Sequence, residues 1–73
     1  MDIRNIRTII SQNIHHWRMA RRFPEETVAM HLGITLKRLK QYENGNDSPT
    51  CDELIAMATL FCCSVNDLCL ETP

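Results

Sequence analysis

Four strong hydrogen-bond donors are clustered between residues 35 and 42 of this 73-residue chain: Lys37, Arg38, Lys40 and Gln41. The lysines and the arginine also carry the positive charge that attracts phosphate. If this segment is helical, the donors project outward, because the apolar residues Leu39 and Tyr42 fall three positions apart and face the core. A helix with such an outward face has the chemistry to enter the major groove of DNA.

The residues before this segment predict a second helix that positions it. Apolar residues recur there at helical spacing: Val28, Ala29 and Leu32. Gly33 then stands where a helix must stop and reverse. Thr35 is a good N-terminal cap, since its hydroxyl can accept a hydrogen bond from a backbone N–H of residues 36–38. Residues 25–45 therefore predict two short helices joined by a tight turn.

Helical periodicity continues on both sides of this pair, and no strand-like alternation persists, so we predict an all-α fold with five helices. The first helix carries a core-facing stripe and stops near Arg22: Ile10, Ile14, Trp17 and Ala20. Pro24 then begins the second helix, because a proline at a helix N-terminus sacrifices no hydrogen bond.

Two capping patterns predict the remaining helices. Thr50 and Glu53 have the spacing of a capping box, which begins a fourth helix that extends through Phe61. Its inward residues are expected to be Leu54, Ile55, Ala58 and Phe61. Ser64 and Asp67 repeat the pattern with a shorter acid and begin a last helix, which brings Val65 and Leu68 onto the core.

Residues 1–9 allow two interpretations. Isoleucines keep helical spacing there, so the segment extends the first helix: Ile3, Ile6 and Ile10. Alternatively it is an arm whose Arg4 and Arg7 reach a flanking phosphate or groove. If the helix continues past the core, Ile3 and Ile6 are exposed in a monomer, which points to a dimer contact. The chain is divided accordingly into an extension or arm over 1–9, a helix-turn-helix domain over 10–69 and a tail over 70–73.

The net charge of −1 argues weakly against a nucleic-acid partner, but its distribution argues for one. Residues 1–41 hold all eight lysines and arginines against three acidic residues, a net charge of +5. Residues 42–73 hold six acidic residues and no basic one, a net charge of −6. We expect a basic face that carries the donor-rich helix and an acidic face turned away from phosphate. The alternative is ordinary solvated surface.

The four cysteines are even in number, which in a secreted mini-protein suggests disulfides: Cys51, Cys62, Cys63 and Cys69. Here Cys51 and Cys69 lie among core-like leucines, and the other two follow a helix, so we expect buried free thiols. Neither a C-x-x-C pair nor a spaced Cys/His quartet is present, so we predict no metal and no cofactor.

Catalysis and membrane insertion are not expected. No nucleophile, base and orienting group are grouped as an enzyme needs. No run approaches about eighteen apolar residues and no signal-peptide segment is recognisable, so we expect a cytoplasmic protein without a membrane partner. A core this small gives little net stability, which favours a homodimer.

Three motifs together carry a resemblance to a known family. Residues 28–35 read VAMHLGIT, residues 42–45 read YENG, and a closing element combines Pro49-Thr50, the apolar helix to Phe61 and the sequence CSVNDL at 63–68. With these motifs the chain resembles the Cro-type, lambda-repressor-like helix-turn-helix family over roughly residues 10–69. The resemblance implies a compact five-helix fold and double-stranded DNA as the partner.

The resemblance also implies an ion pair between Arg18, late in the first helix, and Glu43, which follows the aromatic residue of the YENG motif. This pair is expected to tie the first helix to the end of the donor-rich helix. Its role is structural, and Glu43 is not expected to act in catalysis.

Contacts to bases are implied at the start of the donor-rich helix and one turn later, at Thr35, Leu36, Lys37, Arg38 and Gln41. Lys37 or Arg38 can donate to guanine and Gln41 can pair with adenine, whereas Leu36 can only pack on a thymine methyl. Phosphate contacts are expected from Lys40, Asn44, Asn46 and the backbone N–H groups after the helix.

Two departures from the family pattern are present, of which the second concerns stability only, while the first, together with Leu36 and the acidic second half of the chain, leaves a second interpretation open. Glu25 stands where relatives commonly carry a glutamine that donates to phosphate, and Cys62 stands where a glycine usually takes the left-handed conformation. The leading interpretation is a homodimeric transcription regulator, a repressor or an activator, on an inverted repeat with half-sites about 34 Å apart. The alternative is a protein-interaction module, such as an antitoxin or anti-repressor partner, whose contacts include Met19, Met30 and Leu36.

Overall fold

The computed structural model describes the backbone of residues 3–70 and the side chains of residues 6–70. Five α-helices make up this part of the chain: α1 (Ile3–Ala20), α2 (Glu25–Leu32), α3 (Leu36–Glu43), α4 (Cys51–Phe61) and α5 (Val65–Cys69). Residues 3–70 contain no β-strand, and the prediction of an all-α, five-helix fold is confirmed. Residues 1–2 and 71–73, which belong to the predicted extension and tail, lie outside the described residues.

The longest helix, α1, packs against α3, α4 and α5 and begins at Ile3 without a break before the core. Ile6 packs against the core, so its expected exposure is wrong, while the expectations for Ile3 and Arg4 concern side chains outside those described. The prediction that Ala20 faces the core is also wrong, because it is exposed. Ten helical steps turn Ala20 about 80° away from Ile10, too far to stay on the same face.

Ten buried hydrophobic residues form the core: Ile10, Ile14, Val28, Ala29, Leu39, Tyr42, Met57, Ala58, Phe61 and Leu68. The prediction that Ile55 faces inward is wrong, since it is 51% exposed. Met57 is fully buried instead. Residues 54–58 and 60–61 of α4 are all apolar, so periodicity alone does not determine which of its faces meets the core.

Four helices end in the same hydrogen-bonded reversal, in which one residue takes a left-handed conformation. These residues are Arg22 (φ 60°), Gly33 (φ 69°), Gly45 (φ 77°) and Cys62 (φ 57°). After α4, for example, the N–H of Cys63 donates to the carbonyl of Ala58 at 2.9 Å. Two of the four positions carry side chains that disfavour this conformation, and Arg22 was not foreseen from the sequence.

The predicted caps are confirmed. The Thr35 hydroxyl accepts from the backbone N–H of Arg38 at 3.1 Å, and it is this bond that fixes the start of α3. Both capping boxes are complete, because Thr50 pairs with Glu53 and Ser64 pairs with Asp67. These interactions join residues three positions apart, which is why they are readable in the sequence.

A polar side chain of α1 and one directly after it, Asn13 and Arg21, satisfy carbonyls at the ends of α4 and α5. Asn13 is buried, and its Nδ2 donates to the carbonyls of Leu68 at 3.0 Å and Leu70 at 2.9 Å. Arg21 donates from Nε to the carbonyl of Phe61 at 2.8 Å. Carbonyls at a helix end lack intrahelical partners, so these bonds attach α4 and α5 to α1.

The cysteines are free but not buried, so that part of the prediction is wrong. Cys51 and Cys62 are exposed, whereas Cys63 and Cys69 are half-buried. Cys51 lies in the first turn of α4, beside the capping residue Thr50, where the helix surface is open to solvent. No helix within residues 3–70 is long and apolar enough to cross a lipid bilayer.

Candidate nucleic-acid interface

The helix pair α2–α3 is joined by a three-residue turn of Gly33, Ile34 and Thr35. Gly33 supplies the left-handed residue, and the N–H of Ile34 donates to the carbonyl of Ala29 at 3.0 Å. Ile34 packs against the core and so anchors the turn from inside. Since Thr35 then caps α3, every residue of the turn has a role in setting the direction of α3.

The outward face of α3 is cationic. Leu39 and Tyr42 are fully buried, while Lys37, Arg38 and Lys40 are exposed. Gln41 and Leu36 are half-buried, and Thr35 is exposed at the start of the helix. The structure therefore places the five residues predicted to read bases, together with Lys40, on a single helix, where Lys37, Lys40 and Gln41 lie within about 100° of one another and Arg38 lies nearer to the core side.

Arg38 differs from the two lysines because its side chain is held by the protein. Its Nε donates to the hydroxyl of Tyr42 at 2.6 Å, and the guanidinium lies 5.7 Å from the centre of the Tyr42 ring. Glu53 Oε2 lies 4.0 Å from the same Nε. By contrast, neither Lys37 nor Lys40 forms a hydrogen bond or an ion pair within the part of the chain that the structure describes.

Tyr42 and Glu53 continue this set of contacts into α4. The Tyr42 hydroxyl donates to Glu53 Oε1 at 2.7 Å, and the same oxygen accepts from the backbone N–H of Thr50 at 2.8 Å. Burial, followed by the hydrogen bond to Glu53, raises the pKa of Tyr42 above 10.0. Burial also acts to raise the pKa of Glu53, but the bonds from Thr50 and Tyr42 outweigh it and leave that pKa below 4.5.

The contact between Tyr42 and Glu53 could not be predicted from the sequence. Tyr42 was recognised as a core residue and Glu53 as half of a capping box, and both roles are real. Their side chains lie 11 positions apart on different helices, so only the tertiary fold, in which α1 and α2 each contact both α3 and α4, brings the hydroxyl to the carboxylate.

In the segment after α3, side chains are available to contact phosphate, but the backbone N–H groups are not. Asn44 and Asn46 are exposed, as their predicted phosphate contacts require. The predicted role of the backbone N–H groups is not supported, because those of residues 44–47 already donate to the carbonyls of Lys40, Gln41 and Tyr42. A donor that is satisfied by the helix itself is not free for phosphate.

Arg18 and Glu43 lie together beneath this face. Arg18 Nε lies 3.0 Å from Glu43 Oε2, and its Nη2 lies 3.0 Å from Oε1. Both side chains are largely buried, at 10% and 6% exposure. His15, three positions before Arg18 on α1, adds a contact at 3.1 Å from its Nδ1 to Glu43 Oε1. The three-position spacing of His15 and Arg18 on one helix is the sequence signal that could have indicated this contact.

The N-terminal end of α2 is acidic. Glu25 is half-buried and Glu26 is exposed in the first turn of α2, and neither carboxylate bonds to another described residue. On the same helix, Met30 is 77% exposed. A phosphate that approaches this end meets two negative charges, which oppose the attraction of the helix N-terminus. Among the described residues, no three His, Cys, Asp or Glu side chains form a possible metal site.

Comparisons with known proteins establish the fold. No family model matches the chain, and no curated protein sequence matches it. A crystal structure of a hypothetical transcription factor, NHTF from Neisseria, is similar with a TM-score of 0.83 and 17% sequence identity. The match covers 97% of this chain and 82% of that chain. At this identity the similarity demonstrates a shared five-helix fold, and membership of the Cro-type family stays a prediction.

Proposed function

We propose that the protein is a sequence-specific DNA-binding transcription regulator that inserts α3 into the major groove. The observation that carries this proposal is the cationic face of α3 beyond a capped turn, where Lys37 and Lys40 are exposed and have no side-chain partner among the described residues. Its fold is shared with a protein described as a hypothetical transcription factor, which supports the same conclusion.

The residues of this face divide by the chemistry available to them. Lys37 can donate to guanine and Gln41 can pair with adenine, at about 1–3 kcal/mol of discrimination for each good contact. Thr35 and Leu36 lie at the leading end of α3, where a hydroxyl and an apolar side chain can meet a base edge or a thymine methyl. Lys40, Asn44 and Asn46 are assigned to phosphate, which positions the helix without reading sequence.

A homodimer on an inverted repeat completes the proposal. The described part of the molecule measures 32 × 23 × 20 Å, so one copy spans about one half-site. Two copies related by a two-fold axis then place their α3 helices about 34 Å apart, one turn of the duplex. A duplex with two inverted half-sites should therefore bind more tightly than a duplex with one.

A second candidate, a protein-interaction module, is favoured by one observation. Met30 is 77% exposed and Met19 is 57% exposed, and flexible methionines suit adaptable protein contacts. Glu25 and Glu26 at the N-terminus of α2 weaken attraction to phosphate on the same side of the molecule. In this case the contact is apolar, so it holds or strengthens as salt rises.

The test is selection from a pool of random duplexes at low and moderate salt. Wild-type protein should select a sequence, and the Lys37→Ala/Gln41→Ala double variant should lose that preference. Lys40→Ala should keep the preference while the slope of log affinity against log salt becomes shallower by about one.

Glu25→Gln should tighten binding, with Asp52→Asn on α4 as the control that removes the same charge elsewhere. Absence of binding at low salt would reject the proposal in favour of the protein-interaction module.

A further inference from the structure

The four donors on α3 do not all point the same way. At about 100° per residue, Arg38 lies about 40° round the helix from the buried Tyr42, whereas Lys37 lies about 140° from it. Measured from the other buried residue, Leu39, Lys37 lies about 160° away and Arg38 about 100°. Lys37 therefore projects away from the core, while Arg38 lies on the side of α3 that carries Tyr42, whose hydroxyl bonds to Glu53 of α4.

The contacts of Arg38 follow from this direction. Its Nε donates to the Tyr42 hydroxyl at 2.6 Å, which donates to Glu53 Oε1 at 2.7 Å. Glu53 is fastened to the first turn of α4 by the N–H of Thr50 at 2.8 Å. Three side chains thus form a continuous path of hydrogen bonds from the middle of α3 to the N-terminus of α4.

Charge reinforces the path. The hydrogen bond to Tyr42 raises the pKa of Arg38, so the guanidinium stays charged. The Glu53 side chain is 12% exposed, whereas that of Arg38 is 49% exposed. Because Nε is held, the Nη groups of Arg38 reach only as far as this anchor allows. To extend further toward a base, Arg38 would have to leave the phenol and the carboxylate, and the nearly buried Glu53 would lose its one cationic neighbour within the described residues.

We propose that Arg38 is a positioning residue, which links the middle of α3 to the N-terminal end of α4 through Tyr42 and Glu53, and that base preference is determined by Lys37 and Gln41 without Arg38. This inference rests on the proposed function, because it assigns a division of labour within the α3 face. It replaces the expectation that Lys37 and Arg38 are equivalent donors to guanine.

Two substitutions that differ in their effect on charge separate positioning from direct contact. Tyr42→Phe removes only the hydroxyl, and Glu53→Gln removes a negative charge. If Glu53 acted on DNA only through its charge, Glu53→Gln would tighten binding. If Glu53 holds α3 in place, the same substitution weakens binding. The two explanations therefore predict opposite signs.

The experiment measures duplex selection, affinity and salt slope for wild type, Arg38→Met, Tyr42→Phe, Glu53→Gln, Arg38→Met/Tyr42→Phe and Lys37→Met. We expect Arg38→Met, Tyr42→Phe and Glu53→Gln each to keep the wild-type base preference and to lower affinity about five- to tenfold, the effect of losing one hydrogen bond of this kind. The Arg38→Met/Tyr42→Phe double variant should lose no more than either single variant. Lys37→Met should change the preferred base.

Three results would overturn the inference while leaving the proposed function intact. They are a changed base preference in Arg38→Met, a salt slope in Arg38→Met that is shallower by a full phosphate contact, and losses that add in the double variant. Tighter binding by Glu53→Gln would overturn it as well. Failure of the wild type to bind any duplex at low salt would instead overturn the proposed function, and this inference with it. Thermal unfolding of each variant shows that the proteins compared are folded.

Discussion

Arg18 and Glu43 stand 25 positions apart in the sequence, and their side chains meet in a two-pronged ion pair between α1 and the C-terminal end of α3. Arg18 also donates from Nη1 to the carbonyl of Phe23 at 3.0 Å, so one guanidinium joins α1, the following loop and α3. Because the pair supports α3 from below, its loss affects the position of every side chain on the outward face.

Removal of one partner should be costly. Arg18→Met leaves the Glu43 carboxylate, at 6% exposure, without its cation, and we expect the free energy of unfolding to fall by about 3–5 kcal/mol. Urea denaturation measures this change. Arg7→Met, which removes an exposed arginine from the same helix, should cost less than about 0.5 kcal/mol. A loss below about 1 kcal/mol in Arg18→Met would mean that the ion pair contributes like a surface pair.

Acid should destabilise the protein through Glu53. Its pKa in the folded state lies below 4.5, so the folded state binds fewer protons than the unfolded state in this range. The stabilisation is therefore complete above about pH 4.5 and is lost as pH falls through the folded-state pKa. Thermal unfolding from about pH 7 to about pH 3 should show a shallower decline in Glu53→Gln than in wild type.

The matched control for this titration is Glu26→Gln. Glu26 is exposed and bonds to no other described residue, so its removal should leave the acid slope of wild type nearly unchanged. Glutamine at position 53 can still accept from Thr50, so the capping box is retained while the negative charge, and the charge-assisted strength of the bond from Tyr42, are lost. Equal slopes for wild type and Glu53→Gln would show that this carboxylate makes no contribution to acid stability.

Tyr42 is the one tyrosine in the sequence, so its ionisation can be followed directly by phenolate absorbance. Because burial and the hydrogen bond to Glu53 favour the neutral phenol, the midpoint should lie above 10.0 in the folded protein. It should move down in Glu53→Gln and further up in Arg38→Met, since the nearby cation favours the phenolate. Urea-unfolded protein supplies the reference, and a folded midpoint equal to that reference would contradict the hydrogen-bond path.

Cys62 should be a site where glycine stabilises the fold. Its φ of 57° is left-handed, and a side chain makes this conformation costly. Cys62→Gly should raise the free energy of unfolding by about 0.5–1 kcal/mol, which is a few degrees in Tm for a domain of this size. Cys62→Ala removes the thiol but keeps a β-carbon, so the strain of the left-handed conformation remains, and this variant serves as the control. A gain in Cys62→Ala as large as that in Cys62→Gly would trace the effect to the thiol.

Much of the fold could be predicted because it depends on interactions between residues that are close in the sequence. Thr35, Thr50 and Ser64 each cap a helix through a residue three positions later, and Gly33 ends α2 at the expected place. The capping pattern and the apolar period together determined all five helices. The cationic side chains of α3 followed from the same local pattern.

Interactions between helices decided what the local pattern left open. Within α4, packing chose Met57 over Ile55 for the core, because an almost wholly apolar segment presents no periodic preference. The arrangement of α3 and α4 around α1 and α2 also brought Glu53 to Tyr42, to which Arg38 is bonded, whereas Lys37 points away from these groups. The sequence by itself thus determined where α2, α3, α4 and α5 begin, but it left the start of α1 open. Only the tertiary structure decided which donors of α3 are committed to the protein and which are available to a partner, since that depends on groups brought together from distant positions in the chain.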